Sequence, residues 1–169
     1  MSLIMLRHLV ATLAYRAAKV LRDAPADFAT FQVAVAARRP VQIVAHMADL
    51  MSWGVTLANG EYVWKAEGGE DWNTEVGRFF DRLGALDAAL DRAALPEGAG
   101  EKLIQGPLAD ALTHVGQLAL LRGAAGAPIR PESYARADIA AGRVGMTQSA
   151  PVTEFDGDAS APKSRKPKG

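Results

Sequence analysis

At 169 residues, 49% of them hydrophobic and 22% charged, the chain has the length and apolar content of one globular domain. Lys+Arg (19) and Asp+Glu (19) cancel, so the basic excess of a dedicated nucleic-acid binder is missing, and the lack of cysteine excludes disulfides, thiolate metal sites and a cysteine nucleophile. No apolar run reaches the length of a spanning helix, and Arg7, His8 and Arg16 interrupt the apolar N-terminal stretch, which is therefore not read as a signal peptide. The expectation is a cytoplasmic protein that binds neither nucleic acid nor membrane.

Helical periodicity dominates the body. Leu3, Leu6, Val10, Leu13, Ala17 and Val20 form a stripe on the first helix, which Asp23-Ala24-Pro25 ends. His8 and Tyr15 lie away from that stripe and share their side with Ile4, so the helix is expected to offer a second contact face for a homodimer. The long connection that follows carries Phe28, Phe31, Val33 and Val35. A second helix starts at Pro40, a residue suited to the first turn, and stops at Asn59-Gly60. Tyr62-Val63-Trp64 reads as a short extended segment or hairpin, and Gly68-Gly69 as a turn. A third helix runs from Asp71 or Asn73 to Leu95. A fourth runs from about Lys102 to Ala125, with Gly106-Pro107 as a late start and Gly126 as its stop. A short helix is expected over 131–141. From residue 150 onward Ala, Pro, Ser, Gly, Asp and Lys dominate. Such a segment cannot bury enough apolar surface to offset its ordering entropy. The prediction is an all-α four-helix bundle over 1–149, its helices each about 30 Å long, and a disordered tail over 150–169 whose end, Lys163 to Lys168, is basic.

Few residues can carry chemistry. There is no Gly-x-Ser-x-Gly elbow and no phosphate loop. Of the three histidines, His8 reads as a surface residue. His46 lies at the edge of the apolar arc of helix 2, with Asp49 three residues on, where a carboxylate can orient the ring. It reads either as a ligand or as a half-buried histidine bonded to a backbone carbonyl. His114 follows Asp110 by four residues, a spacing that stacks both on one helix face. That pair reads as two metal ligands or as an intrahelical contact. Together His46, Asp110 and His114 make two nitrogens and one carboxylate, the set of an open site that leaves positions for water or substrate. Trp53, Trp64 and Trp72 lie near helix ends, either as packing anchors or as pocket walls; Trp53 and Trp72 are the pocket residues expected.

The segments Ile43-Val-Ala-His-Met-Ala-Asp-Leu and His114-Val-Gly-Gln-Leu-Ala-Leu-Leu-Arg, followed by Ala125-Gly126-Ala-Pro, resemble the DinB/YfiT-like family of metalloenzymes. The resemblance covers about residues 3 to 142. It implies a four-helix bundle, frequently dimeric, with one metal-binding histidine on helix 2 and a His-x-x-x-His pair on helix 4. By it His46 is the first ligand and His114 the later member of the pair. Position 110 departs from the pattern, since it is aspartate. A carboxylate still coordinates nickel, zinc, manganese or iron, while shifting the site toward harder metals. The resemblance further implies activation of a thiol or water against a small-molecule substrate, as in thiol-dependent transferases, with Asp49 and Gln117 supporting the ligands. The alternative is a non-catalytic homodimeric bundle with a vestigial site, binding a ligand or associated with stress. A separation of His46 from the other two by more than about 8 Å would favour that alternative, because metal–ligand bonds are near 2 Å.

Overall fold

The computed structural model describes residues 2–92 and 94–155. Among them the elements are helical: α1 (Leu3–Leu21), α2 (Pro40–Ala58), α3 (Trp72–Leu90), the short α4 (Ala99–Leu103) and α5 (Ala109–Ala124), with single 3₁₀ turns at Phe28–Thr30 and Tyr134–Arg136. The one strand-like feature is an isolated antiparallel bridge between Glu132 and Glu154. None of the described helices is long and apolar enough to cross a membrane.

The chain divides into two compact units. The larger comprises the residues up to 129 together with 139–148. In it α2 packs against α3 and α5, and α1 packs against the same two helices. The order around the core is thus α1, α3, α2, α5, with the sequence neighbours α1 and α2 on a diagonal. That arrangement requires the long connection between them. Leu6, Val10, Leu13, Ala17 and Val20 of α1 are buried in one core with Val44, Met47 and Met51 of α2, Phe79 and Leu83 of α3, and Leu108, Ala111 and Leu118 around the start of α5. Because α1 is flanked by two helices, its buried arc is wider than the predicted stripe and takes in Ala11, Ala14, Tyr15 and Ala18. Tyr15 is therefore not part of an outer contact face as expected. His8 is exposed, as are Ile4 and Met5.

Local chemistry sets the helix ends. Pro40 opens α2, and Gln42 Oε1 accepts the Arg39 N–H at 3.0 Å. Asp71 caps α3 by accepting the Thr74 N–H at 2.8 Å. Gly60 and Gly126, both with positive φ, follow α2 and α5, as the sequence predicts. The end of α1 is held from outside: buried Arg122 of α5 donates to the carbonyls of Val20, Arg22 and Asp23, and its Nε–H donates to Ala127 O. Burial pulls its pKa below the usual guanidinium value, which the four carbonyls offset by solvating the charge.

Three helices differ from expectation, the third because it stops at Leu90 and not at Leu95. The predicted fourth helix is broken into α4 and α5 by a π-type turn at Ile104–Leu108, where Gly106 leaves helical backbone angles. Pro107 has no N–H to offer the preceding turn and its ring crowds it, so the ladder widens there. The predicted helix over 131–141 is reduced to the turn at Tyr134–Arg136. Its backbone groups are used elsewhere: in the smaller unit, whose described residues are 130–138 and 149–155, the Ser133 N–H donates to Thr153 O and the Phe155 N–H to Pro131 O. Of the expected tail, residues 150–155 thus run beside 131–133. Residues 156–169, with the basic stretch from Lys163 to Lys168, lie outside the described residues.

Candidate metal centre

The π-type turn redirects the chain so that α5 begins with Asp110 in its first turn, where the helix dipole favours a carboxylate. His114 follows one turn later on the same face, and α5 packs against α2, which presents His46. His46 Nε2 lies 3.4 Å from Asp110 Oδ2, and His114 Nε2 lies 3.3 Å from Asp110 Oδ1. The two imidazoles meet edge to face, centroids 5.0 Å apart. One ligand atom from each residue falls within 4.8 Å of the other two. Ligands sharing one ion through bonds of about 2.0–2.2 Å sit roughly 3.0–3.5 Å apart. Both His–Asp separations are in that range, and His46, Asp110 and His114 could hold a metal ion once the two imidazoles close on it.

The protonation pattern points the same way. His114 Nδ1–H donates to Gln117 Oε1 at 2.7 Å, so a neutral His114 turns the lone pair of Nε2 toward the Asp110 carboxylate. Acceptor then faces acceptor, and a cation between them removes the repulsion. His46 is held below its ordinary pKa, first by burial and also by the charge of Arg38, against the opposing pull of Asp110. A neutral imidazole is the form that binds metal.

Asp49 does not support His46 as expected. The i,i+3 spacing alone would allow the contact, but partners distant in sequence draw Asp49 toward α3. There it accepts from Arg78 Nη1 at 2.6 Å and from the Glu67 N–H at 3.2 Å. Arg78 also donates to Glu75 Oε2 and to the carbonyl of Ala45, while Glu75 Oε1 accepts the Gly69 N–H at 2.7 Å. Asp49 and Glu75 are buried, so this cluster pins the 61–70 connection onto α2 and α3. The fit is tight: a Cβ on Gly68 would come within 2.7 Å of Ala45 Cβ.

The pinned connection delivers Trp64, whose ring lies edge-on to His46 at 5.7 Å. Trp53 packs on Trp64 and on Tyr62, and its buried indole N–H has no hydrogen-bond partner among the described residues. Its far edge reaches the π-type turn, where a Cβ on Gly106 would stand 3.0 Å from Trp53 Cη2. Trp72 is not in this wall; it packs edge-on against Phe28, and the two rings lie 5.7 Å apart. Trp64 takes the place expected of it. On the other side of His114 opens a pocket of about 320 Å³, lined by Arg38, Ile43, Gln117, Leu120 and Leu121.

Compared with protein-family models, curated proteins and solved structures, the chain matches none of them.

Proposed function

We propose that the protein is a metal-dependent enzyme of the DinB-like type, in which His46, Asp110 and His114 hold a divalent ion and a thiol or water is turned against a small electrophile. One observation carries this reading: two imidazoles and a carboxylate from two helices converge within 4.8 Å, and both His–Asp spacings suit a shared ion. When bound, such an ion supplies Lewis acidity, lowering the pKa of a thiol or water until a nucleophile exists near neutral pH. Three protein ligands leave coordination positions open for it. Gln117 holds the His114 tautomer, and Trp64 covers one edge of His46. Asp110 in place of a third imidazole widens the choice of ion from zinc and nickel toward manganese and iron. In the homodimer we propose, the exposed Ile4 and Met5 of α1 form the apolar surface for a second copy, which light scattering at micromolar concentration tests.

The deciding experiment is metal analysis of untagged protein, as purified and after supply of zinc, nickel, manganese or iron(II). Wild type takes up one of them stoichiometrically. H46A and H114A lose it, D110A binds far more weakly, D110H binds with a shift toward nitrogen-preferring metals, and H8A behaves as wild type. If wild type takes up none, the enzymatic reading fails and a non-catalytic bundle replaces it.

A further inference from the structure

The pocket beside His114 has a composition that selects a ligand. Its apolar wall is Ile43 and Leu121, which are buried, and Leu120, which is 74% exposed at the rim. Two of its lining groups are polar and on the side of the proposed ion, His114 and Gln117, and these already bond to one another. The remaining polar group is Arg38. Several other arginines around the bundle are already engaged. Arg7 is bound to Asp87 and Asp91, Arg39 to Glu70, Arg78 to Asp49 and Glu75, and Arg122 to four carbonyls. Arg38 has no hydrogen-bond or ion-pair partner among the described residues, yet it borders an apolar pocket and stands near enough to His46 for its charge to disfavour the imidazolium.

We infer that this pocket binds a small organic carboxylate, its carboxylate paired with Arg38 and its short apolar body against Ile43, Leu120 and Leu121, next to His114. A guanidinium is a planar fork of donors that matches a carboxylate with two parallel hydrogen bonds. One such fork and no lysine in the lining suits a single negative charge better than a phosphate dianion. A volume of about 320 Å³ is at the small end of ligand pockets, which limits the body to a short chain or one ring. This assigns the substrate class of the site proposed above, and it rests on that reading for its catalytic meaning, though not for the binding itself.

The test uses full-length protein stripped of metal and returned to chelator-free buffer, so that a carboxylate cannot bind through an ion. Hexanoate and its neutral isostere hexanamide are titrated while the ring signals of His114 are followed by NMR. Hexanoate shifts these signals to saturation, and hexanamide binds about tenfold more weakly, the loss expected for removing a charge-assisted hydrogen-bond pair. Arg38→Gln, an exposed position where the fold is not at stake, lowers hexanoate binding to the hexanamide level and leaves metal uptake unchanged. Equal binding of acid and amide, an Arg38→Gln protein that binds hexanoate as wild type does, or no hexanoate binding overturns the inference. Hexanoate binding through Arg38 in a protein that takes up no metal would leave the inference standing and remove only the enzymatic reading.

Discussion

His114 and Gln117, one turn apart on α5, are joined by a 2.7 Å hydrogen bond from Nδ1–H to Oε1, and that bond selects which ring nitrogen faces Asp110. Partners of this kind fix the tautomer and orientation of a ligand histidine, and their loss costs about 10–100-fold in metal affinity. Gln117→Leu keeps the volume and removes the acceptor. The expected outcome is metal affinity lower by roughly tenfold or more at an unchanged melting temperature of the metal-free protein, measured by competition with a chelator.

His46 titrates below its ordinary value, first because burial disfavours its charge and also because of the nearby Arg38 guanidinium. In the unfolded chain it takes up its proton near pH 6.5, and in the fold only at lower pH. Between those two values the unfolded chain holds more protons, so the metal-free fold loses stability as pH falls through that window. Melting temperatures of metal-free wild type should therefore drop between about pH 7 and 5 more steeply than those of H46A, which lacks the group. A slope identical in both would contradict the assignment.

Asp49→Ala leaves the half-buried Arg78 guanidinium with one carboxylate fewer and frees the Glu67 N–H. Arg78 keeps Glu75 and the Ala45 carbonyl, so the cost stays below the roughly 3–5 kcal/mol of stranding a fully buried charge. The 61–70 connection should loosen first and expose Trp64. Tryptophan emission shifting to longer wavelength, together with early proteolysis between residues 61 and 70, is the expected signature.

Gly106→Ala places a methyl 3.0 Å from the Trp53 ring, which is already packed on Trp64 and Tyr62. Overpacking of this kind costs about 1–3 kcal/mol. The strain passes through Trp53 and Trp64 to His46, so the variant should lose metal affinity as well as stability, although it touches no ligand. Titration of metal into both proteins, with their melting curves, separates the two effects.

Much of the fold is legible in the sequence because short-range chemistry governs it. The α1 stripe from Leu6 to Val20, the opening at Pro40, the cap at Asp71 and the stops after Asn59 and Ala125 are all local signals. Asp110 and His114 stand together because four residues make a helical turn. What escapes is set by neighbours distant in sequence. Nothing near Asp49 announces that Arg78, 29 residues on, will take it away from His46. Nothing near Trp64 announces that an irregular connection will carry it there, and the width of the buried arc that includes Tyr15 depends on α1 having two flanking helices. The break at Gly106-Pro107 is written in the sequence, but helical periodicity on both sides hides it.

The His46–Asp110 contact joins residues separated by 64 positions, and both ends belong to the single seam between α2 and α5. Any cation held there closes a long loop, and cross-links of that span remove the most chain entropy from the unfolded ensemble. The first consequence is kinetic: with the seam tied, α5 can peel from α2 only after the ion leaves. Amide exchange along α5 would then report the occupancy of the site more sensitively than the melting of the whole chain.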